Sequence, residues 1–498
     1  MYRLLLLSLL VTLSAASSSA QAPADSDAAF QEFLDALQTS REFIVSATDE
    51  DGTDRAEGLR HLVRLIEMQN ARATDDHDVA NPHVSRCPSL VCKLGFDNPD
   101  FTYINVSPIS PEYTYRVFGK RGTVPYMSMQ IFDNPLGGTE FMTSEDLVVD
   151  PDGSYEIILS ATEPDAARNW MRLKDSAFFF ILRNGFYDWN NEIEASVQVE
   201  VIEGPMSGPV PHLTPEAFVV EMAALSQRLR TLPLTMRGAS MTWPLNDLND
   251  PDPGAFGIPG AGIPEAVSSA GRYELSTDEA MIIETPMPDV VHGGIQLGNS
   301  WVESIDYQTH QTSLNWFQSV PDSDGIVRYV LAHDDPGVPN WLDISGHPNG
   351  GIFMRWQSPT DENYPDKPTV KLVAFEDVGE NLPADHPTVT PAERADTLHQ
   401  RYLAVNKRRN PTGQFDDVAA SMPEAGGGGS TGCAVGGSLS GTTWLPLLAL
   451  TLLARRRRRR RVSRARPWKL RVSARKPLQS RWFSGGCVSP SFVGVGGG

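Results

Sequence analysis

The sequence predicts an α+β chain that is mainly β, with two tandem β-rich units, each followed by a helix, behind a helical N-terminal segment. Three observations carry this. A spaced set of uncommon residues occurs twice, strand-like runs follow each occurrence, and 38 prolines with 41 glycines fit a turn-rich body. The repeated set is Asp150-Pro151-Asp152-Gly153, then Leu159, Glu163-Pro164, Asn169-Trp170 and Arg183. Its counterpart is Asp322-Ser323-Asp324-Gly325, then Leu331, Asp335-Pro336, Asn340-Trp341 and Arg355. Glycine to leucine is 6 residues, leucine to proline 5 and glycine to arginine 30 in both. Residues held in step over that distance indicate an internal duplication.

The elements follow in order. Phe30, Phe33, Leu34 and Leu37 share one helical face, as do Leu59, Leu62, Val63 and Ile66, and Asp54 with Glu57 has the spacing of a helix cap. The period then changes. Tyr126 to Phe132, Tyr155 to Leu159 and Phe178 to Leu182 are strand-like, and Val197, Val199 and Val201 alternate as in a half-buried strand. Thr214-Pro215 opens a helix carrying Phe218, Met222, Leu225 and Leu229. The second copy repeats the order with Val327 to Leu331, Ile352 to Trp356 and Val370 to Phe375. Thr390-Pro391 with Glu393 then caps a helix containing Leu398, Tyr402 and Leu403. The expected boundaries are 23–80 for the helical segment, 81–240 for the first β-rich unit, 241–265 for a linker and 266–410 for the second unit.

Both ends read as addresses. Residues 1–22 place Arg3 before an apolar run, Leu4 to Leu13, and then small residues, which is the pattern of a secretory signal peptide. At the other end a Gly-rich spacer (411–432) precedes Cys433. A mostly apolar stretch, Ala434 to Ala454, ends in Arg455 to Arg461, long enough to cross a bilayer with the arginines left in the cytoplasm. Residues 462–498 are basic, then glycine-rich, and aperiodic. The expected location is therefore outside the cytoplasm, in the cell envelope or at the cell surface, with the membrane engaged through the tail.

Charge supports this. The formal net charge is −20, yet 14 of the 42 basic residues lie between Arg455 and Arg481, and Arg3 lies in the signal. The remainder has 27 basic against 62 acidic residues, a surface that repels nucleic acid. Of four cysteines, Cys433 and Cys487 belong to the tail. Cys87 and Cys92, with four residues between them, read as a short-loop disulfide in an oxidising compartment.

An aspartate-glycine turn opening a strand, then Asn-Trp, then a strand ending in arginine, resembles the domain-of-unknown-function family numbered 1214. The matching residues are Gly153, Asn169, Trp170 and Arg183, and again Gly325, Asn340, Trp341 and Arg355. Asn98-Pro99-Asp100, Tyr115-Arg116-Val117 and Gly119 to Gly122 look like the family's lead-in. The resemblance implies two tandem β-sandwich-like units and supplies no catalytic residues. The order of Gly-rich spacer, cysteine, weak helix and arginine cluster resembles the sorting tails of the Myxo-CTERM and GlyGly-CTERM kind. That implies a sorting protease as partner and processing or lipidation at Cys433; a permanent single-span anchor is the alternative.

Candidate chemistry is sparse. The Asp-x-Asp-Gly segments lack the remaining ligands of a calcium loop and read as hairpin turns. Asn169-Trp170 and Asn340-Trp341 read as structural corners. The functional alternative is a platform for a glycan or other small ligand, helped by Trp189, Trp301, Trp316 and Trp356. Arg183 and Arg355 can hold an anionic ligand, although pairing with the motif's own aspartates is the simpler expectation. His333, Asp334, Asp335 and His347, with His310 and Asp343 nearby in sequence, are the candidates for catalysis or a divalent metal, and otherwise no cofactor is implied. They belong to the second copy only, since Ala161, Thr162 and Glu163 replace the first three. Outside the Gly-rich spacer no nucleophile elbow is present, nor any His-Glu-x-x-His, phosphate loop or Cys-x-x-Cys. The expectation is a binding or structural module, with a metal-assisted hydrolase built on the His/Asp cluster as the alternative.

Overall fold

The strand-like runs pair into four sheets that form two β-sandwiches. The computed structural model describes residues 25–50, 52–74, 78–87, 93–133, 137, 138, 140–205, 208, 212–253 and 262–409. The signal peptide, the Gly-rich spacer, the sorting tail and Cys92 of the expected disulfide lie outside them. Among the described residues no helix is long and apolar enough to cross a membrane.

In the first sandwich one sheet has the order β1 (His83–Cys87), β2 (Phe101–Ser107), β8 (Phe179–Gly185), β4 (Tyr126–Phe132) and β5 (Glu140–Thr143). The facing sheet runs β7 (Trp170–Arg172), β6 (Ser154–Ser160), β3 (Thr114–Lys120) and β9 (Gln198–Glu203). In the second sandwich one sheet runs β10 (Asp247–Leu248), β12 (Ala266–Glu274), β18 (Asn349–Gln357), β14 (His292–Gly298) and β15 (Ser313–Asn315), with β11 (Asp252–Pro253) also on β12. Its partner runs β17 (Trp341–Asp343), β16 (Ile326–Ala332), β13 (Glu279–Pro286) and β19 (Thr369–Ala374). Strands β2 to β9 therefore correspond one by one to β12 to β19. Even the odd pairing recurs: β6–β7 and β16–β17 are parallel, with Ile158 opposite Trp170 and Val330 opposite Trp341, while every other pair is antiparallel. The stretch 241–265, expected to be a linker, contributes β10 and β11.

Each sandwich closes over its own core. Val117, Met129, Ile157, Leu159, Phe180 and Leu182 fill the first; Met281, Ile283, Leu297, Leu331, Ile352 and Trp356 fill the second. The outer faces of the two larger sheets meet, where Phe101 and Tyr126 pack with Ile263 and Ala266. Strands β8, β14 and β18 are thus covered on both sides, which explains why they are buried along nearly their whole length. Edge strands β9 and β19 alternate instead, with one side in water.

The repeated turns are alike to the backbone atom. Gly153 and Gly325 both have φ +80°, and each donates its N–H at 2.9 Å to the carbonyl of Asp150 or Asp322. The left-handed conformation is what requires glycine.

Helices α1 (Ser26–Ser46), α2 (Thr53–Thr74) and α3 (Pro215–Ser240) cluster around Trp301 of the second sandwich through Ala29, Ile44, Leu62, Leu65, Leu225 and Leu229. Asp25 caps α1 and Thr214 caps α3. Two expectations are corrected. First, the apolar stripes are partly out of phase: Phe30, Leu34 and Val63 are exposed, because α1 buries Ala29, Ala36, Ser40 and Ile44 to let the helices approach closely. Second, α2 begins at Thr53, so Asp54 and Glu57 lie inside it and bond elsewhere. The final helix, α4 (Pro391–Arg409), does carry its capping box: Glu393 accepts from the Thr390 N–H at 2.8 Å and donates its own N–H to Thr390 Oγ1 at 3.3 Å.

Candidate functional site

Where the helices meet the second sandwich they leave a cleft of about 380 Å³. Its walls are the α1–α2 connection, the first turns of α2, the end of α3, the end of β12, the residues after β14 and the start of β18. Asp54, Glu57, Arg237, Tyr273, Asn299 and His347 supply its polar groups.

These groups are positioned by one buried network. Asn299 donates to Glu57 Oε2 at 3.1 Å and to Glu303 Oε2 at 3.0 Å, while its own carbonyl accepts the N–H groups of Trp301 and Glu303. Glu303 is fully buried and takes His61 Nδ1 at 2.9 Å and Arg64 at 2.7 Å, both from α2. Trp301 Nε1 donates to the Asp54 carbonyl at 2.9 Å, and Asp54 holds Arg237 of α3 at 2.7 Å. Helices α2 and α3 are thereby joined to one loop of the second sandwich.

Glu57 is the buried carboxylate of the cleft, 7% exposed, where Asp49, Asp54 and Glu274 are more open. Burial pushes its carboxyl up, but Arg60, bonded to it, and His347 beside it outweigh this and hold it well below the usual range. Arg60 pairs with it directly, and His347 Nε2 stands 3.5 Å away. Tyr273 is buried, and its hydroxyl has no hydrogen-bond partner. Burial pushes that phenol up, so it stays a neutral donor.

The structure does not gather His333, Asp334, Asp335 and His347 into one site. His333 Nε2 meets the Leu275 carbonyl at 3.0 Å, and Asp335 accepts from Arg394 of α4 at 2.9 Å. Only His347 reaches the cleft, and its partner there is Glu57. His310 and Asp343 do pair, at 2.6 Å, apart from the other four. Among the described residues no three or more His, Cys, Asp or Glu side chains are grouped to hold a metal ion.

The ligand candidates of the motif lie in corners. Asn169 binds the backbone of Val148 through both ends of its amide, at 2.8 and 2.9 Å, and Asn340 does the same to Val320 at 2.9 and 2.7 Å. Trp170 and Trp341 turn their N–H groups inward, to Ser160 Oγ and the Ala332 carbonyl. Trp189, Trp301, Trp316 and Trp356 are buried. Arg183 and Arg355 do not pair with the turn aspartates. Each instead meets a glutamine across the sheet, Gln130 at 3.0 Å for Arg183 and Gln296 for Arg355. Asp150 takes Arg168 and Asp322 takes Arg328, both at 2.6 Å, because those arginines lie on the same outer surface as the turns.

The comparisons agree with this architecture. Residues 123–188, within the first sandwich, match the family described as "Protein of unknown function (DUF1214)". A crystal structure of an uncharacterized protein from Burkholderia cenocepacia is similar at 29% identity, covering 71% of this chain and 98% of that one, with a TM-score of 0.63. The VPA0106 protein from Vibrio parahaemolyticus matches at 9% identity over 69% of this chain and 99% of its own, with a TM-score of 0.40. No curated protein matches. The family match and the Burkholderia structure support the resemblance read from the motif, and both describe proteins without an assigned activity.

Proposed function

We propose that the chain is an exported, surface-sorted binding module made of two copies of the DUF1214 unit, and that its ligand site is the cleft between the helices and the second sandwich. The ligand class is a short glycan or another small, hydroxyl-rich molecule. One observation carries the reading: an ionised, nearly buried carboxylate, Glu57, is fixed in a 380 Å³ cleft beside an amide, an imidazole and an unpartnered phenol. Carboxylate and amide acceptors with a phenol donor match the paired donor and acceptor character of hydroxyl groups. The N-terminal signal and the Cys433 tail supply the location, and the acidic body supports a setting away from nucleic acid.

Mono- and oligosaccharides screened against the full-length protein are expected to raise its melting temperature by several degrees at saturation. Glu57→Gln is expected to abolish the shift. If no sugar shifts the wild type, or if the variant responds equally, the cleft is not the site. The same variant has a pH signature. The carboxyl is depressed from 4.5, so its stabilisation is complete above that pH and fades as pH falls toward the folded-state value. The wild type should therefore lose stability relative to Glu57→Gln on acidification below about pH 4.5.

A further inference from the structure

The two duplicated arginines face the layer where the sandwiches meet, and among the described residues no carboxylate pairs with the first. Arg183 is 6% exposed. Its Nη2 donates to Gln130, its Nη1 has no partner, and the nearest ring face is Phe132 at 5.8 Å. Among the described residues no carboxylate forms an ion pair with it; the groups whose charge would favour its protonation are the phenols of Tyr103 and Tyr126. Burial pushes both phenols up, so both stay neutral. A buried guanidinium without a counter-ion is a costly arrangement, because desolvation is not repaid.

Other unsatisfied groups border the same place. Tyr126 lies within the field of Arg183, and its ring stands 6.5 Å from His292 of the opposing sheet. His292 Nδ1 is buried without a partner, and so are both amide atoms of Gln357, the residue directly opposite His292 in the ladder. Arg355 sits two residues before Gln357, and Tyr103 lies in the field of both arginines. The layer thus offers two cations, an amide donor and an imidazole; its carboxylates are Glu265, which accepts from Tyr126 at 2.7 Å, and Asp97 and Asp100, whose charges act on Arg355, and none of them forms an ion pair with Arg183.

We infer that this layer holds a small oxyanion (a carboxylate, phosphate or sulfate) bound at Arg183 between the two sandwiches. A bridging water would satisfy Nη1 yet leave the charge unbalanced, and a cation would be repelled. An oxyanion does both tasks, since it brings a negative charge and several acceptor oxygens to Nη1. The inference is independent of the cleft, which lies on the helix side of the second sandwich and involves other residues.

Desalted full-length protein, denatured in acid, is expected to release an equimolar oxyanion detectable by ion chromatography, which also identifies it as phosphate, sulfate or carboxylate. Phosphate, sulfate or acetate should raise the melting temperature by several degrees over chloride at equal ionic strength. Arg183→Gln should remove that rise, while Arg116→Gln, at an exposed ion pair on β3, should keep it. Selenate soaked into crystals should give anomalous density beside Arg183. Absence of both a released oxyanion and any rise over chloride would overturn the inference. So would a rise that survives Arg183→Gln, or selenate density confined to the outer surface.

Discussion

Trp301→Ala is expected to destabilise the protein by about 3–5 kcal/mol in urea denaturation, the range for removing a fully buried large aromatic side chain. Trp301 is 0% exposed and is the meeting point of α1, α2 and α3. Phe43 packs edge-on at 6.3 Å, Arg237 lies over the ring at 5.1 Å, and the indole N–H holds the Asp54 carbonyl. The seat is cut for it in α2: a Cβ on Gly58 would stand 2.5 Å from the indole and 2.8 Å from Ile44. Because Asp54 and Glu57 are placed by the same contacts, the variant should lose sugar binding even under conditions where it remains folded. Loss of less than about 1 kcal/mol would mean that the helices are not anchored at this residue.

Arg401→Ala is expected to cost about 3–5 kcal/mol, whereas Tyr402→Ala, its neighbour, should stay within about 0.5 kcal/mol. The contrast arises because α4 buries three arginines beside Ala404 and Val405 and leaves Tyr402 and Leu403 largely exposed. Arg394, Arg401 and Arg408 recur at intervals of seven, and each is 6% exposed; Tyr402 and Leu403 are 43% and 46% exposed. Arg401 donates to the carbonyls of Tyr307 and Ser313 at 2.8 and 2.9 Å, and to Ser313 Oγ at 2.5 Å. Trp189 of the first sandwich lies 4.3 Å from Arg401 and 4.1 Å from Arg408. Burial lowers the Arg401 guanidinium to about 10, so it is still charged at neutral pH. Truncation leaves a cavity and acceptors without donors in the seam between the sandwiches. Equal effects at positions 401 and 402, measured by chemical denaturation, would contradict this view of α4.

What could be read from the sequence, and what could not, follows from locality. Strands such as Tyr126 to Phe132 were legible because burial leaves a continuous apolar run. The repeat was legible because hairpin turns and Asn-Trp corners need particular residues at fixed spacing. Strands β12 and β14 were not singled out: they are covered on both faces but carry Ser268-Ser269 and Gly293-Gly294, which dilute the apolar signal. The helix faces misled because close helix contacts favour Ala29 and Ala36 over Phe30, and because α4 buries charge. The cleft had no local signature at all. Glu57 read as a cap and His347 as part of a metal cluster, and only the fold brings α2 against the start of β18. Of the four candidates in the second copy only His347 lines the cleft, beside Glu57 and not beside the other three.

Hydrogen exchange of the full-length protein with and without a bound sugar puts the cleft to the plainest test. Ligand should slow exchange around the lining residues 47–49, 52–54, 57, 237, 240–241, 272–274, 299–300 and 347–351, which reach the cleft from five separate regions of the chain. Protection centred on the corners at 169–170 and 340–341, with those five stretches unchanged, would place the ligand on the duplicated motif and contradict the cleft as the binding site.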